Sequence, residues 1–301
     1  LMRNSLFALA LLVSFGSYSQ SQKETGIAST DKTKSQKASD RLAAMMSDGD
    51  ELSDVFSTYH DIANAKNKEG DYYGAITNYT KAIEGIEIDA QGKAVIKKGN
   101  LYNSLVFCYY NRGEVKQKLN NHKCAIADFN KYLELVVDDG EAYLLRGISK
   151  QALKDYQSAI ADYTEGINIE PNWSSYYFQR ALCYKALKNY DLAMSDYDNA
   201  IDIRPNYDIA YHNRGILKEI LKDYYGSIAD YTEAIKIFED DNYLEISVLS
   251  NNFVILYSDR GLVKEKLGDL KGACSDMQVA LLFKGNESIN WIDNWLSKKC
   301  N

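Results

Sequence analysis

The chain repeats itself every 34 residues. Residues 140–173 (GEAYLLRGISKQALKDYQSAIADYTEGINIEPNW), 174–207 (SSYYFQRALCYKALKNYDLAMSDYDNAIDIRPNY) and 208–241 (DIAYHNRGILKEILKDYYGSIADYTEAIKIFEDD) align without a gap. The same frame fits 106–139 and 254–287, and a weaker copy fits 56–89, giving six repeats. A fixed period of this length excludes most compact folds. Each repeat is one small unit that cannot cover its own apolar face, so it must stack on its neighbours.

Numbering each repeat from 1 to 34 shows what the period encodes. Position 4 is always Tyr (Tyr59, Tyr109, Tyr143, Tyr177, Tyr211, Tyr257), and position 8 is always Gly or Ala (Ala63, Gly113, Gly147, Ala181, Gly215, Gly261). Position 20 is small, and position 24 is aromatic up to repeat five and Met277 in repeat six. Small residues at 8 and 20 let two antiparallel helices approach closely, and the aromatics fill the space above and below. Positions 20, 21, 24, 27 and 28 have helical spacing and form one buried stripe. Turn formers stand at 15 and 16, as in Gly70-Asp71, Asn120-Asn121 and Gly268-Asp269. The chain's two prolines, Pro171 and Pro205, both fall at position 32, where they stop the second helix.

This pattern resembles the tetratricopeptide repeat, a 34-residue helix-turn-helix, over roughly residues 56–287. The resemblance implies an all-α fold: a right-handed superhelical α-solenoid of six helix hairpins. Position 11 departs from the family, which often has Tyr there; it is Lys in five repeats and Tyr184 in the fourth.

Position 7 is Arg and position 23 is Asp in the same five repeats, giving Arg112/Asp128, Arg146/Asp162, Arg180/Asp196, Arg214/Asp230 and Arg260/Asp276. The two positions face each other across a hairpin, so these residues are expected to form ion pairs that fix one helix on the other. Repeat one has Ile62 and Asn78 instead.

Two inserts, 90–105 and 242–253, keep a helical apolar pattern and are expected to extend the first helices of repeats two and six as projecting ridges. Residues 288–299, with Trp291 and Trp295 on one face, are expected to cap the end of the stack. No pair of the five cysteines has metal-ligand spacing, and a Cys274–Cys300 bridge between the last repeat and the cap is permitted.

The N-terminus carries Arg3, an apolar run from Leu6 to Phe15, and Ser17-Tyr18-Ser19 before Gln20. These are the three parts of a secretory signal peptide, residues 1–19, and the apolar run is too short to span a bilayer. Residues 20–50 are polar with balanced charge and are expected to form a flexible leader, with the solenoid occupying 51–301. Export to the periplasm or beyond is therefore expected, with no membrane insertion after cleavage. The net charge is −7 and no Lys/Arg-rich run occurs, which argues against nucleic acid as a partner. No phosphate loop, nucleophile elbow or metal-ligand cluster is visible, so neither enzymatic activity nor a cofactor is expected.

In the family the first helices line a concave surface, chiefly through positions 2, 5, 9 and 12. Here that surface would offer Leu144, Ile148, Phe178, Leu182, Ile216 and Leu262 as apolar anchors, with His212 on the same face and an edge of Glu141, Gln151, Lys185, Glu219 and Glu265. The implied function is a non-catalytic scaffold that holds a segment of a partner protein. Some family members grip the C-terminal carboxylate of a chaperone, but of the residues here at those positions (His60, Asn64, Asn111, Glu141, Leu145) only the two asparagines match. Two alternatives stay open. One is a carbohydrate- or cell-wall-binding accessory protein using Phe107, Tyr110 and Phe178, and the other is a subunit of an envelope assembly machine.

Overall fold

The computed structural model describes residues 52–84, 100–240, 246–282 and 290–300. The expected signal peptide, the polar leader and segments 90–99 and 242–245 of the inserts lie outside the described residues. Among the described residues all regular structure is helical. In chain order the helices are α1 (Leu52–Glu69), α2 (Tyr72–Glu84), α3 (Asn100–Lys118), α4 (His122–Leu135), α5 (Gly140–Ala152), α6 (Tyr156–Ile169) and α7 (Ser174–Ala186). There follow α8 (Tyr190–Ile203), α9 (Asp208–Ile220), α10 (Tyr224–Asp240), α11 (Ile246–Lys266), α12 (Leu270–Leu282) and α13 (Asn290–Lys299). They fall into two compact modules, one ending at Val115 and one beginning at Lys116.

The first module packs α1, α2 and α3 up to Val115 around Ala63, Ala75, Tyr79, Ala82, Cys108 and Val115. Tyr79 donates its hydroxyl to Asn64 Oδ1, and Arg112 Nη1 donates to Thr80 Oγ1 at 2.9 Å.

In the second module α5/α6, α7/α8, α9/α10 and α11/α12 form successive hairpins, each stacked on the next, and α13 packs on α12. The turn inside every repeat is set by position 15, whose backbone is left-handed in all six. Glycine meets this at Gly70 (φ 81°) and Gly268 (φ 84°), but Asn120, Lys154, Lys188 and Lys222 adopt it with a side chain (φ 58°, 63°, 62° and 66°). The Asp at position 16 then caps the second helix: the amides of Gly74, Ser158, Gly226 and Gly272 donate to Asp71, Asp155, Asp223 and Asp269. Helices α6 and α8 end at Ile169 and Ile203, two residues before Pro171 and Pro205.

Close helix approach rests on position 8. A Cβ added at Gly147 would lie 2.6 Å from the Tyr163 ring, and one at Gly215 would lie 2.7 Å from the Tyr231 ring. Both rings are fully buried.

Four of the five Arg/Asp pairs lie wholly in the second module, and each forms a two-pronged contact. Arg146 Nε and Nη2 donate to the two oxygens of Asp162 at 3.0 and 2.7 Å, and Arg180/Asp196, Arg214/Asp230 and Arg260/Asp276 repeat the arrangement. Arg112 and Asp128 belong to different modules; within its own, Asp128 is paired with Lys116 at 2.8 Å.

The network is larger than the sequence indicated. The Lys at position 11 adds a second cation to the same carboxylate, at 2.8 Å in Lys150–Asp162, Lys218–Asp230 and Lys264–Asp276. The remaining Arg nitrogen reaches position 25 of the preceding repeat, as in Arg146 to Asn130, Arg180 to Thr164, Arg214 to Asp198 and Arg260 to Thr232. Each guanidinium also lies over the position-4 Tyr of its own helix. One Arg thus ties together both helices of its repeat and the repeat before it.

At the C-terminal end, Ile292, Trp295 and Leu296 pack with Val254, Met277 and Ala280. Trp291, read from the sequence as sharing the packed face with Trp295, is instead 43% exposed. The buried stripe runs through 292, 295 and 296, and Trp291 lies at its edge. Cys274 and Cys300 form a disulfide that ties this helix to α12, while Cys108, Cys124 and Cys183 are free. Helix α3 starts six residues before its repeat frame and α11 eight. The end of the second insert is part of the core: the Phe253 ring meets Phe238 of α10 edge-on at 5.0 Å.

Candidate functional site: the first-helix face

In the second module the first helices α5, α7, α9 and α11 bring positions 5, 9 and 12 of repeats three to six to one face. Leu144 and Ile148 (α5), Ile216 (α9) and Leu262 (α11) are half-buried and keep part of their side chains open. Phe178 and Leu182, expected as exposed anchors, are not: they are 5% and 8% exposed and belong to the core. The cause is local. Tyr207, in the loop after α8, lies against the Phe178 ring at 5.2 Å, and the Tyr197 ring lies 6.1 Å from it. Phe178, 5% exposed, is therefore too covered for a sugar to stack on, which removes it from the carbohydrate reading. Phe107 (51% exposed) and Tyr110 stand in the first module.

His212 is engaged as well. Its Nε2 is 2.9 Å from Asp259 Oδ2 of α11, and its ring sits 5.5 Å from that of Tyr231. That contact joins α9 to α11 along the face.

The position-12 side chains form a polar row beside the aliphatic positions. Gln117 Nε2 donates to the Leu145 carbonyl at 2.9 Å and to Ser149 Oγ at 3.0 Å. Gln151 Oε1 accepts from Tyr163 Oη at 2.7 Å and from the Cys183 thiol at 3.4 Å. Glu219 takes Lys266 Nζ at 2.6 Å, and Glu265 takes the Trp295 indole N–H at 3.0 Å and Lys299 at 3.2 Å. Lys185, in the middle of the row, donates to Asn213 Oδ1 at 2.8 Å and has no carboxylate within 4.0 Å among the described residues. Burial of its ammonium lowers its pKa to about 8.

The structure thus brings all eight sequence-derived face residues to the first helices, but only Leu144, Ile148, Ile216 and Leu262 offer apolar surface. The sequence gives Gln151, Lys185, Glu219 and Glu265 as a polar edge to the aliphatic positions; the structure adds the partner that each of them holds. Among the described residues no three His, Cys, Asp or Glu side chains gather as a metal site, and no helix is long and apolar enough to cross a membrane.

Comparison with known proteins agrees with this architecture. Family models described as tetratricopeptide repeat match residues 108–135, 140–172 and 174–207, the last two in the same frame as repeats three and four. The chain is a tetratricopeptide-repeat protein. It is similar to the C-terminal part of a TPR repeat-containing protein from Cytophaga hutchinsonii (12% identity, 88% of this chain and 95% of that one, TM-score 0.65). A tetratricopeptide repeat protein from Parabacteroides merdae gives 18% identity over 89% of this chain and 99% of that one, with a TM-score of 0.52. YrrB, described as a TPR protein with an unusual peptide-binding site, gives 20% identity, 66% and 92% coverage, and a TM-score of 0.50. At these identities the likeness is one of fold. No curated protein matches the chain.

Proposed function

We propose that this tetratricopeptide-repeat protein is an exported, non-catalytic scaffold whose first-helix face in repeats three to six holds a peptide segment of a partner protein. The observation that carries the reading is the face itself. Half-buried aliphatic side chains at Leu144, Ile148, Ile216 and Leu262 flank a row of polar side chains. Apolar surface bordered by directional polar groups is what an extended or helical segment needs for both affinity and register. That YrrB carries a peptide-binding site on the same fold adds support. Export is supported by the charged, apolar and small-residue order of the N-terminus and by the Cys274–Cys300 disulfide, a bond favoured in oxidising compartments and rare in reducing ones.

The test is site-specific photo-crosslinking in the exported full chain. A photoreactive phenylalanine at Ile148 or Ile216 is expected to yield the same partner adduct, and one at Tyr225, 78% exposed on α10, none. Adducts formed at Tyr225 but at neither first-helix position would overturn the assignment of the face. Secretion is read separately, from N-terminal sequencing of the mature chain.

A further inference from the structure

Repeat four breaks a rule that its neighbours keep. The position-24 tyrosine of repeat three, Tyr163, donates its hydroxyl to position 12 of its own repeat, Gln151, and in repeat five Tyr231 reaches Glu219 in the same way at 3.4 Å. In repeat four the counterpart, Tyr197, is fully buried and its Oη has no hydrogen-bond partner. Position 12 there is Lys185, a donor, whose Nζ lies 5.9 Å from the centre of the Tyr197 ring. Burial holds the Tyr197 phenol well above its ordinary pKa, so it stays a neutral O–H donor.

The sequence shows how this arises. Positions 11 and 12 read Lys-Gln or Lys-Glu in repeats two, three, five and six, but Tyr184-Lys185 in repeat four. The cation has moved one residue along, from the carboxylate network between the two helices to the first-helix face. There its Nζ donates to Asn213 Oδ1 and, among the described residues, has no carboxylate beside it. A covered cation held only by a neutral oxygen calls for an anionic acceptor.

We propose that this point seats a side-chain carboxylate of the partner segment, with Lys185 Nζ as its contact. The proposal rests on the first-helix face being the peptide surface. An internal Asp or Glu, rather than a chain terminus, fits because half-buried aliphatic positions continue on both sides: Ile148 in the repeat before and Ile216 in the repeat after. The neighbouring Glu219 does not compete, since its carboxylate is held by Lys266 at 2.6 Å. Lys185 occupies position 12, apart from the positions of the chaperone-tail clamp.

The experiment pans the purified full chain against a displayed library of random peptides with blocked C-termini, then measures synthetic versions of the selected peptides by fluorescence anisotropy. The peptides are expected to share one Asp or Glu between apolar residues. Replacing it by Asn or Gln should weaken binding to the wild-type chain about tenfold, but binding to Lys185→Met by less than about twofold. Circular dichroism checks that each variant remains helical. If peptides bind, and lose binding to Ile148→Glu and Ile216→Glu, but share no acidic position or keep the full penalty on Lys185→Met, this inference falls and the peptide-binding face stands. If no peptide is retained, or binding survives both Ile→Glu changes, the face assignment falls and the carboxylate site with it.

Discussion

Replacing Lys185 by Met should stabilise the protein, and by an amount that depends on pH. The Met side chain keeps the unbranched apolar stem that packs beside Tyr197 and removes only the ammonium. The fall of the Lys185 pKa from 10.5 to about 8 corresponds to about 3 kcal/mol, the cost of holding an unneutralised charge in a covered site. Met also loses the 2.8 Å hydrogen bond to Asn213 Oδ1, which offsets about 1 kcal/mol of that gain. Near neutral pH the variant should therefore be more stable by about 2 kcal/mol.

The sign with pH follows from which state holds the proton. Below about pH 8 the lysine is charged in both states, so the native state carries the full cost. Between about 8 and 10.5 the unfolded chain keeps the proton that the native chain has lost, and wild-type stability rises with pH relative to the variant. By about pH 10.5 the advantage of Met should be gone and the lost hydrogen bond should leave it slightly behind. Urea unfolding of both proteins, followed by circular dichroism at about pH 7 and about pH 10, measures the difference. Repeat arrays can unfold in parts, so the midpoints of the second-module transition are compared. A variant less stable than wild type at neutral pH, or a difference that does not change with pH, would refute the reasoning.

The remaining predictions concern the scaffold. Lys154→Gly, Lys188→Gly and Lys222→Gly, all at left-handed turn positions, should each raise stability by about 0.5–1 kcal/mol, whereas Gln157→Gly inside α6 should lose about 1 kcal/mol; thermal melts distinguish the two signs. Asp230→Asn strands Arg214 and Lys218 and should cost about 3 kcal/mol in urea unfolding. Adding Arg214→Ile, which recreates the Ile62/Asn78 pair of repeat one, should recover part of that, because Lys218 can then turn to Asp223 as Lys66 does to Asp71. Reducing the Cys274–Cys300 disulfide, which spans 26 residues, should destabilise the α13 cap by about 3 kcal/mol and shift Trp295 fluorescence to the red, with the second module otherwise intact.

The repeat made the architecture readable because the same packing problem is solved six times, so chance coincidences cancel. The Gly at position 8, the Tyr at position 24 and the prolines at 32 all stand where the helices require them. Burial depth was not readable in the same way. Position 5 identifies the first-helix face, but whether its occupant is open depends on what the next loop carries. Position 34 is Trp173 in repeat three, which stays 52% exposed, and Tyr207 in repeat four, whose ring lies against Phe178. Lys at position 11 looked like a departure from the family; yet 7 and 11 are one helical turn apart, so the second cation on Asp162, Asp230 and Asp276 was legible from spacing alone. Trp291 was misplaced because an i, i+4 pair defines a face but not which edge of it is covered.

Repeat four joins these observations. In repeats three, five and six the Asp at position 23 holds two cations, the Arg at 7 and the Lys at 11. In repeat four Asp196 is held by Arg180, and Tyr184 takes the lysine's place by lying against the same guanidinium at 5.9 Å. One step along a helix turns a side chain by about 100°, enough to move the cation from between the two helices to the first-helix face. The exchange costs the scaffold little, since a two-pronged Arg–Asp pair with an aromatic beside it remains. It leaves on the face a charge that nothing in the fold requires and that the fold would be more stable without. A residue whose removal should stabilise the native state, in a repeat whose neighbours all avoid the arrangement, is better explained by what it meets in a complex than by what it does for the fold.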